Sequence, residues 1–303
     1  MTVSIGAKTE VLIQALPYIQ RYEGKTFVVK YGGAAMVEEE LKETFAQDVT
    51  LLKKIGVNIV VVHGGGKEVT DTAGRLGIAS RFINGQRYTD QEMMDVVQMV
   101  LAGKTNKDIV LKVNQHDGGA VGVSGVDGDL LRVVRHADEG ADLGLVGTVR
   151  SVNTGFLKTL LQSGYLPVIA PVGADDHAQL HNINADNAAA AIASALRAEK
   201  LVYLSDVEGV LSSGALVHTI TRHEAERMIS TGAIVNGMIP KIRSAFRALD
   251  SGVGKVHMID GRTKHSLLLE IFTDEGVGTE LVDDPEREGS APSGRSGQMH
   301  NKE

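Results

Sequence analysis

The chain of 303 residues predicts an α/β fold with a central, mostly parallel sheet. Three observations carry this reading. Apolar, β-branched runs of strand length alternate with segments of helical periodicity. Two of these runs, Thr26-Phe27-Val28-Val29-Lys30-Tyr31-Gly32-Gly33 and Ile59-Val60-Val61-Val62-His63-Gly64-Gly65-Gly66-Lys67, stop abruptly at glycines, as strands do where they turn into a following helix. The composition, 43% hydrophobic and 23% charged, is globular and suits one large domain or two modest ones.

The elements follow in order. Residues 10–22 carry Val11, Leu12, Ala15, Leu16, Ile19 and Tyr22 at helical spacing, a leading helix that either packs on the protein's own core or serves as an oligomerisation or regulatory arm. Strands are predicted at 27–30, 58–63, 120–124, 166–170, 201–205 and 255–259, and helices at 39–55, 67–76, 90–101, 187–196, 223–230 and 239–249. Residues 284–303 are rich in Gly, Ser, Pro and charge and lack the apolar side chains that offset ordering entropy, so a disordered tail is predicted there. The expected organisation is an arm over 1–23, a single domain over 24–283, and the tail.

A formal net charge of -7 disfavours wholesale nucleic-acid or membrane binding, so any anion site must be a local concentration of lysine, arginine and backbone N–H. The absence of cysteine excludes disulfides, thiolate metal sites and cysteine nucleophiles, and fits a reducing compartment. The polar, then amphipathic start does not read as a signal peptide, and no apolar run approaches transmembrane length. A cytoplasmic protein is expected.

The glycine junctions carry the chemistry. Glycine lets backbone N–H groups approach a ligand, and a helix N-terminus behind it adds further donors. Lys30, ending its strand, points at the same place, so the arrangement reads as a phosphate cradle; the plain alternative is a pair of ordinary strand-to-helix turns. No G-x-x-x-x-G-K-[ST] and no G-x-G-x-x-G occurs, which disfavours a Walker-type NTPase and a dinucleotide-binding fold.

Other constellations are compatible with this site. Asn182-Ile183-Asn184-Ala185-Asp186 opens a helix, either as an N-cap or as a loop presenting amide and carboxylate groups. Arg87 ends the turn 84–89 as an exposed arginine, either solvated or a clamp for a carboxylate. Asp206 lies in an acidic, glycine-bearing loop at a strand end, where α/β sheets place ligands. Lys241 stands in the first turn of a helix, where the dipole disfavours a cation unless an anion is near. His63 reads as a strand-end histidine held by packing or one hydrogen bond, with no second histidine at metal-ligand spacing.

Taken in order, Lys30-Tyr31-Gly32-Gly33, His63-Gly64-Gly65-Gly66, Asn84-Gly85-Gln86-Arg87-Tyr88-Thr89, Asn182-Ile183-Asn184-Ala185-Asp186, Ser205-Asp206-Val207-Glu208-Gly209 and Gly237-Met238-Ile239-Pro240-Lys241 resemble the amino-acid kinase family over residues 16–281. The resemblance implies a three-layer αβα sandwich with an acceptor lobe over 24–180 and a nucleotide lobe over 181–283. It implies transfer of a phosphoryl group from ATP, with Mg2+ on its phosphates and no protein-ligated metal, to the side-chain carboxylate of N-acetyl-L-glutamate. Lys30 and Lys241 would stabilise the transition state and Asp186 would orient them. Gly32, Gly33, Gly64, Gly65, Arg87 and Asn182 would hold phosphate and acceptor. Asp206, Val207, Gly209, Leu211, Ala233, Ile234 and Val235, with Lys241, would border ATP.

Two further stretches, 16–19 and 257–279, resemble the arginine-inhibited branch, a hexamer built as a trimer of dimers. They imply an arginine effector site at Tyr18, His257, Glu270 and Gly276. The connection at 212–214 is shorter than the family pattern, and the tail has no counterpart in it. Two other readings stay open: a kinase acting on carbamate, aspartate, glutamate or UMP, and a catalytically silent, arginine-sensing module joined to an acetyltransferase. Within the first, an aspartokinase and the common two-domain glutamate kinase are disfavoured because no appended regulatory domain follows the core; the second is disfavoured because a further domain's length is missing and both lysines and Asp186 stand in place.

Overall fold

Valine- and isoleucine-rich runs bounded by glycines build the centre of the molecule. The structure, a computed structural model, describes residues 5–136, 142–212, 214–235, 237–273 and 276–284. Its main strands are β1 (Thr26–Tyr31), β2 (Asn58–His63), β3 (Ala120–Ser124), β4 (Leu131–Arg135), β5 (Val146–Val152), β6 (Leu166–Ala170), β7 (Val172–Ala174), β8 (Leu180–Ile183), β9 (Lys200–Ser205), β10 (Thr219–Thr221), β11 (Lys255–Asp260) and β12 (Thr279–Val282). Eight of them form one sheet in the order β10-β12-β11-β9-β1-β2-β6-β3, parallel throughout except between β11 and β12. All six predicted strands lie in it. Strands β4, β5, β7 and β8 close a small barrel beside it, which the sequence reading does not foresee. Strand β8 crosses the expected lobe boundary at 180/181 and pairs entirely within this barrel.

The helices are α1 (Ile5–Tyr22), α2 (Glu39–Lys54), α3 (Gly66–Arg75), α4 (Gln91–Val97), α5 (Asn106–Asn114), α6 (Thr154–Gln162), α7 (Ala185–Leu196), α8 (Arg222–Ser230), α9 (Met238–Asp250) and α10 (Ser266–Phe272). Between α4 and α5 the backbone continues through π-helical turns over Gln98–Thr105, so the helix predicted at 90–101 runs on to Asn114. The helices cover both faces of the large sheet. Strand alternation assigns the faces. Val28, Val60, Val62, Leu201 and Tyr203 join one core with Ala188, Ile192, Ala245 and Phe246 of α7 and α9. Phe27, Val29, Tyr31, Ile59, Val61 and Val202 join the other with Phe45, Val49, Ile109 and Leu267 of α2, α5 and α10.

The last turn of α1 packs on this second core. Tyr22 is buried with its ring 5.1 Å from that of Phe27, and Tyr18 meets Phe272 edge-on at 6.1 Å. Farther out on the helix, Ile13 and Leu16 are exposed. The side chains of Val11 and Leu12, and the predicted tail beyond Asp284, lie outside the described residues.

Candidate active site

β1 and β2 run side by side in register, with Tyr31 opposite His63, so their glycine turns open at the same edge of the sheet. Lys30 shares the face of β1 occupied by Val28, and that face looks toward the start of α7. The Lys30 ammonium therefore meets Asp186 there, Nζ to Oδ1 at 3.0 Å. Lys241, from the first turn of α9, reaches the other carboxylate oxygen at 3.4 Å. Burial alone would raise the Asp186 pKa, but Lys30 and then Lys241 outweigh it and hold the carboxyl below its ordinary value. At neutral pH the three groups are a carboxylate between two ammonium ions. A β-carbon at position 32 would stand 2.5 Å from Lys30 Nζ, so Gly32 is what lets the lysine fold back along the loop.

Asn184 caps α7 by accepting from the N–H groups of Asp186 and Asn187. Asn182 lies in β8 rather than in a loop, and its Nδ2 donates to Thr89 Oγ1 at 3.2 Å. Arg87 departs from expectation: it is buried, 9% exposed, rather than solvated. Its Nη1 donates to Ser80 Oγ at 2.7 Å, and its Nη2 to Gly66 O at 2.7 Å and Thr70 Oγ1 at 2.8 Å. The guanidinium also lies 4.9 Å from the Phe82 ring centroid. Those bonds use three of its five N–H donors. Burial lowers its pKa. Arg87, Asn182, Gly64, Gly65 and Gly66 line one cavity of about 220 Å³ with an apolar wall of Val97, Leu101 and Val146. Gly33, Ala34, Gly65, Gly66, Lys67 and Asp206 line a neighbouring one of about 340 Å³.

The glycine loops need one correction. The Gly64 N–H is not free for a ligand: it donates to Tyr31 O at 2.8 Å and extends the β1–β2 ladder. Donors into the cavities come instead from the Gly65 turn and the first turn of α3, whose leading N–H groups have no carbonyl within the helix. In the other loop, the Ala34 N–H donates to Asp206 Oδ1, which ties the acidic loop to the cradle. Among the residues expected around the nucleotide, Val207, Leu211 and Val235 are exposed, whereas Ile234 belongs to the first core.

The expected effector residues do come together. Tyr18, His257, Glu270 and Gly276 line a cavity of about 570 Å³, with Lys200, Lys255 and Glu280. Lys200 Nζ donates to His257 Nε2 at 3.0 Å, and His257 Nδ1 donates to Glu270 Oε1 at 2.6 Å. Glu270 Oε2 accepts from the N–H groups of Val277 and Gly278. Burial, then the positive charge of Lys255, lowers the Lys200 pKa to about 8. Sequence reasoning missed Lys200, and also Thr70 and Ser80, whose roles come from contacts across the fold rather than from any local pattern.

An αβα sandwich with a glycine cradle, and two lysines bridged by one carboxylate at its rim, defines a phosphoryl-transfer enzyme. Residues 25–260 match the amino acid kinase family, and the chain belongs to that family. It is 57% identical over 272 residues to an acetylglutamate kinase of Pelodictyon phaeoclathratiforme, covering 90% of this chain and 89% of that one. It is 53% identical over 285 residues to the acetylglutamate kinase of Chlorobaculum tepidum, covering 94% and 100%. Among solved structures, the N-acetylglutamate synthase of Neisseria gonorrhoeae in complex with coenzyme A and N-acetyl-glutamate superposes with a TM-score of 0.82 at 27% identity, over 93% of this chain. The chain spans 64% of that synthase's length. Carbamate kinase of Giardia lamblia, at 16% identity and a TM-score of 0.63, shares the fold. No helix among the described residues is long and apolar enough to cross a membrane.

Proposed function

We propose that the protein transfers the γ-phosphoryl group of MgATP to the side-chain carboxylate of N-acetyl-L-glutamate, the second step of arginine synthesis. The observation that carries this reading is the Lys30–Asp186–Lys241 cluster beside a cavity holding Arg87 and Asn182. Arg87 and Asn182 take the α-carboxylate, and the apolar wall takes the acyl chain. The acceptor carboxylate is already ionised at pH 7, so no general base is required. The barrier lies in bringing two anions together and in holding charge on the transferring group. The lysines lower that barrier, and Asp186 keeps them aimed. Magnesium arrives on the ATP phosphates. The loop at Asp206 and the stretch 233–235 border the nucleotide.

Hydroxylamine trapping of the acyl phosphate, with MgATP and a panel of carboxylic acids, tests the reading. Strong product with N-acetyl-L-glutamate and little with aspartate, glutamate or carbamate is the expected result. No product with N-acetyl-L-glutamate would overturn it.

The cavity at Tyr18, His257 and Glu270 takes arginine as a feedback inhibitor. A solved complex of the related Neisseria gonorrhoeae synthase contains L-arginine, with a TM-score of 0.77 at 27% identity, and supports this assignment. Exposed Ile13 and Leu16 on α1 supply apolar surface through which dimers join into a hexamer.

A further inference from the structure

We propose that His63 is a positioning residue for the transfer: its Nδ1–H grips the Gly64 carbonyl and thereby aims the Gly65 N–H into the site. The inference rests on the kinase reading above and goes beyond it.

Asn106 dictates how the imidazole works. Both side chains are completely buried. Asn106 Nδ2 lies 2.9 Å from Val168 O, 3.2 Å from His63 Nε2 and 3.4 Å from Val123 O, while its Oδ1 lies 3.0 Å from Lys107 Nζ. A carbonyl only accepts and an ammonium only donates, so the nitrogen end of this amide must face Val168 and His63. His63 Nε2 thus faces a donor nitrogen and finds no acceptor there for a proton of its own. Burial drives the His63 pKa down to about 4, so the ring is neutral at pH 7 and carries its one proton on Nδ1. That proton points at Gly64 O, 2.7 Å away.

The peptide is planar and trans, so the Gly64 C=O and the Gly65 N–H point in opposite directions. Holding the carbonyl fixes the amide. On its other side, Gly64 is already fixed by the bond from its N–H to Tyr31 O. The peptide between Gly64 and Gly65 is the piece left to choose. Gly65 sits at φ 145°, ψ 25°, a conformation that side chains disfavour, and a β-carbon there would meet Leu101 Cδ2 at 2.5 Å. Gly65 lines both the cavity with Arg87 and Asn182 and the cavity with Gly33 and Lys67. Its N–H thus belongs where acceptor and phosphate meet.

Two substitutions separate the two bonds of the ring. In His63→Asn the amide nitrogen falls near the place of Nδ1 and keeps the grip on Gly64, but the contact between Asn106 and the ring is lost, leaving Asn106 with Val168 O and Val123 O. In His63→Gln the amide oxygen reaches the place of Nε2 and keeps Asn106 satisfied, but the grip is lost. Each variant breaks one buried bond, so comparable falls in melting temperature are expected. Turnover should separate them: kcat of the folded His63→Gln enzyme falls about 10- to 100-fold, as for loss of one preorganised donor. Its KM for ATP changes little, and His63→Asn recovers most of the lost kcat. Equal kcat in the two folded variants, or the lower kcat in His63→Asn, would overturn the proposal. Ring-nitrogen NMR of the unmodified protein tests it without any variant: the Nδ1–H tautomer supports it, and an Nε2–H tautomer overturns it. Failure of the kinase reading is distinguishable, because the unmodified enzyme would then form no acyl phosphate from N-acetyl-L-glutamate.

Discussion

Lys30 and Asp186 reach each other from opposite kinds of element, a strand end and a helix start, and close to 3.0 Å at the mouth of the site. The pairing follows from parity. Lys30 shares a face of β1 with Val28, and Val28 packs in the core that holds α7. Asp186 stands in the first turn of α7, where the helix dipole favours an anion, and its second oxygen is left to draw in Lys241. One buried carboxylate thus sets the separation of two cations. The arrangement suits a group whose negative charge spreads as it moves between two oxygens.

Lys241 is the more exposed of the two lysines, with a side chain 27% exposed against 11% for Lys30. Lys241→Ala should therefore fold well while losing one charge contact to the transferring group. The expected outcome is a fall in kcat on the order of a hundredfold or more, with small changes in either KM. Steady-state kinetics on the purified variant decides it, and unchanged turnover would remove Lys241 from the mechanism.

Arg87→Lys should weaken binding of N-acetyl-L-glutamate by about tenfold or more and leave ATP binding nearly intact. A lysine cannot reproduce the fork that holds Ser80, Thr70 and Gly66 while presenting further donors to a carboxylate. Calorimetry with each ligand separates the two. A loss confined to ATP would place the acceptor elsewhere.

How much of this was legible in the sequence differs by element. The six predicted strands are apolar along their length because helices cover both faces of their sheet, and such runs announce themselves. The barrel does not: β7 spans only Val172–Ala174, and β4 mixes Val133 with exposed Arg132 and Arg135. Lys30, Asp186 and Lys241 could be named by type and by family pattern, which also implied that Asp186 orients both lysines; the distances at which one carboxylate reaches the two come from the fold. Arg87 was expected to be exposed on its turn, either solvated or as a clamp for a carboxylate. Its burial comes from Ser80, Thr70 and Gly66, whose arrangement around it no local pattern encodes. His63 was read as a packed histidine, and it is packed; the tautomer that gives it a further role depends on Asn106, on a helix distant in sequence.

His63 also predicts a dependence of stability on pH. Its pKa is about 4 when folded against an ordinary 6.5, so between those values the unfolded chain binds a proton that the folded one does not. This contribution to stability is fully present above pH 6.5 and is lost as pH falls toward 4. It amounts to about 2 kcal/mol lost by pH 5. Chemical denaturation at pH 7 and pH 5 should show a drop that shrinks by that amount in His63→Asn, whose side chain does not titrate. An undiminished drop in the variant would assign the acid sensitivity to other groups.

The two roles proposed for the leading helix should be separable by two truncations. Ile13 and Leu16 are exposed on α1, whereas Tyr18 lines the cavity proposed for arginine and Tyr22 is buried against Phe27. Removing residues 1–16 takes away the exposed apolar surface and leaves the cavity wall. Dimers in place of the hexamer are expected by light scattering, with arginine still binding by calorimetry. Removing residues 1–23 also takes Tyr18 and Tyr22. Inhibition by arginine should disappear and the melting temperature should fall, because Tyr22 leaves a gap in the core. Much of the kinase activity should persist in both, since α1 does not line the cavities at Arg87 and Asp206. Arginine needs only to bind one arrangement of the enzyme more tightly than another to act across that distance. A protein lacking residues 1–23 that remained a hexamer and was still inhibited by arginine would remove both roles from the helix.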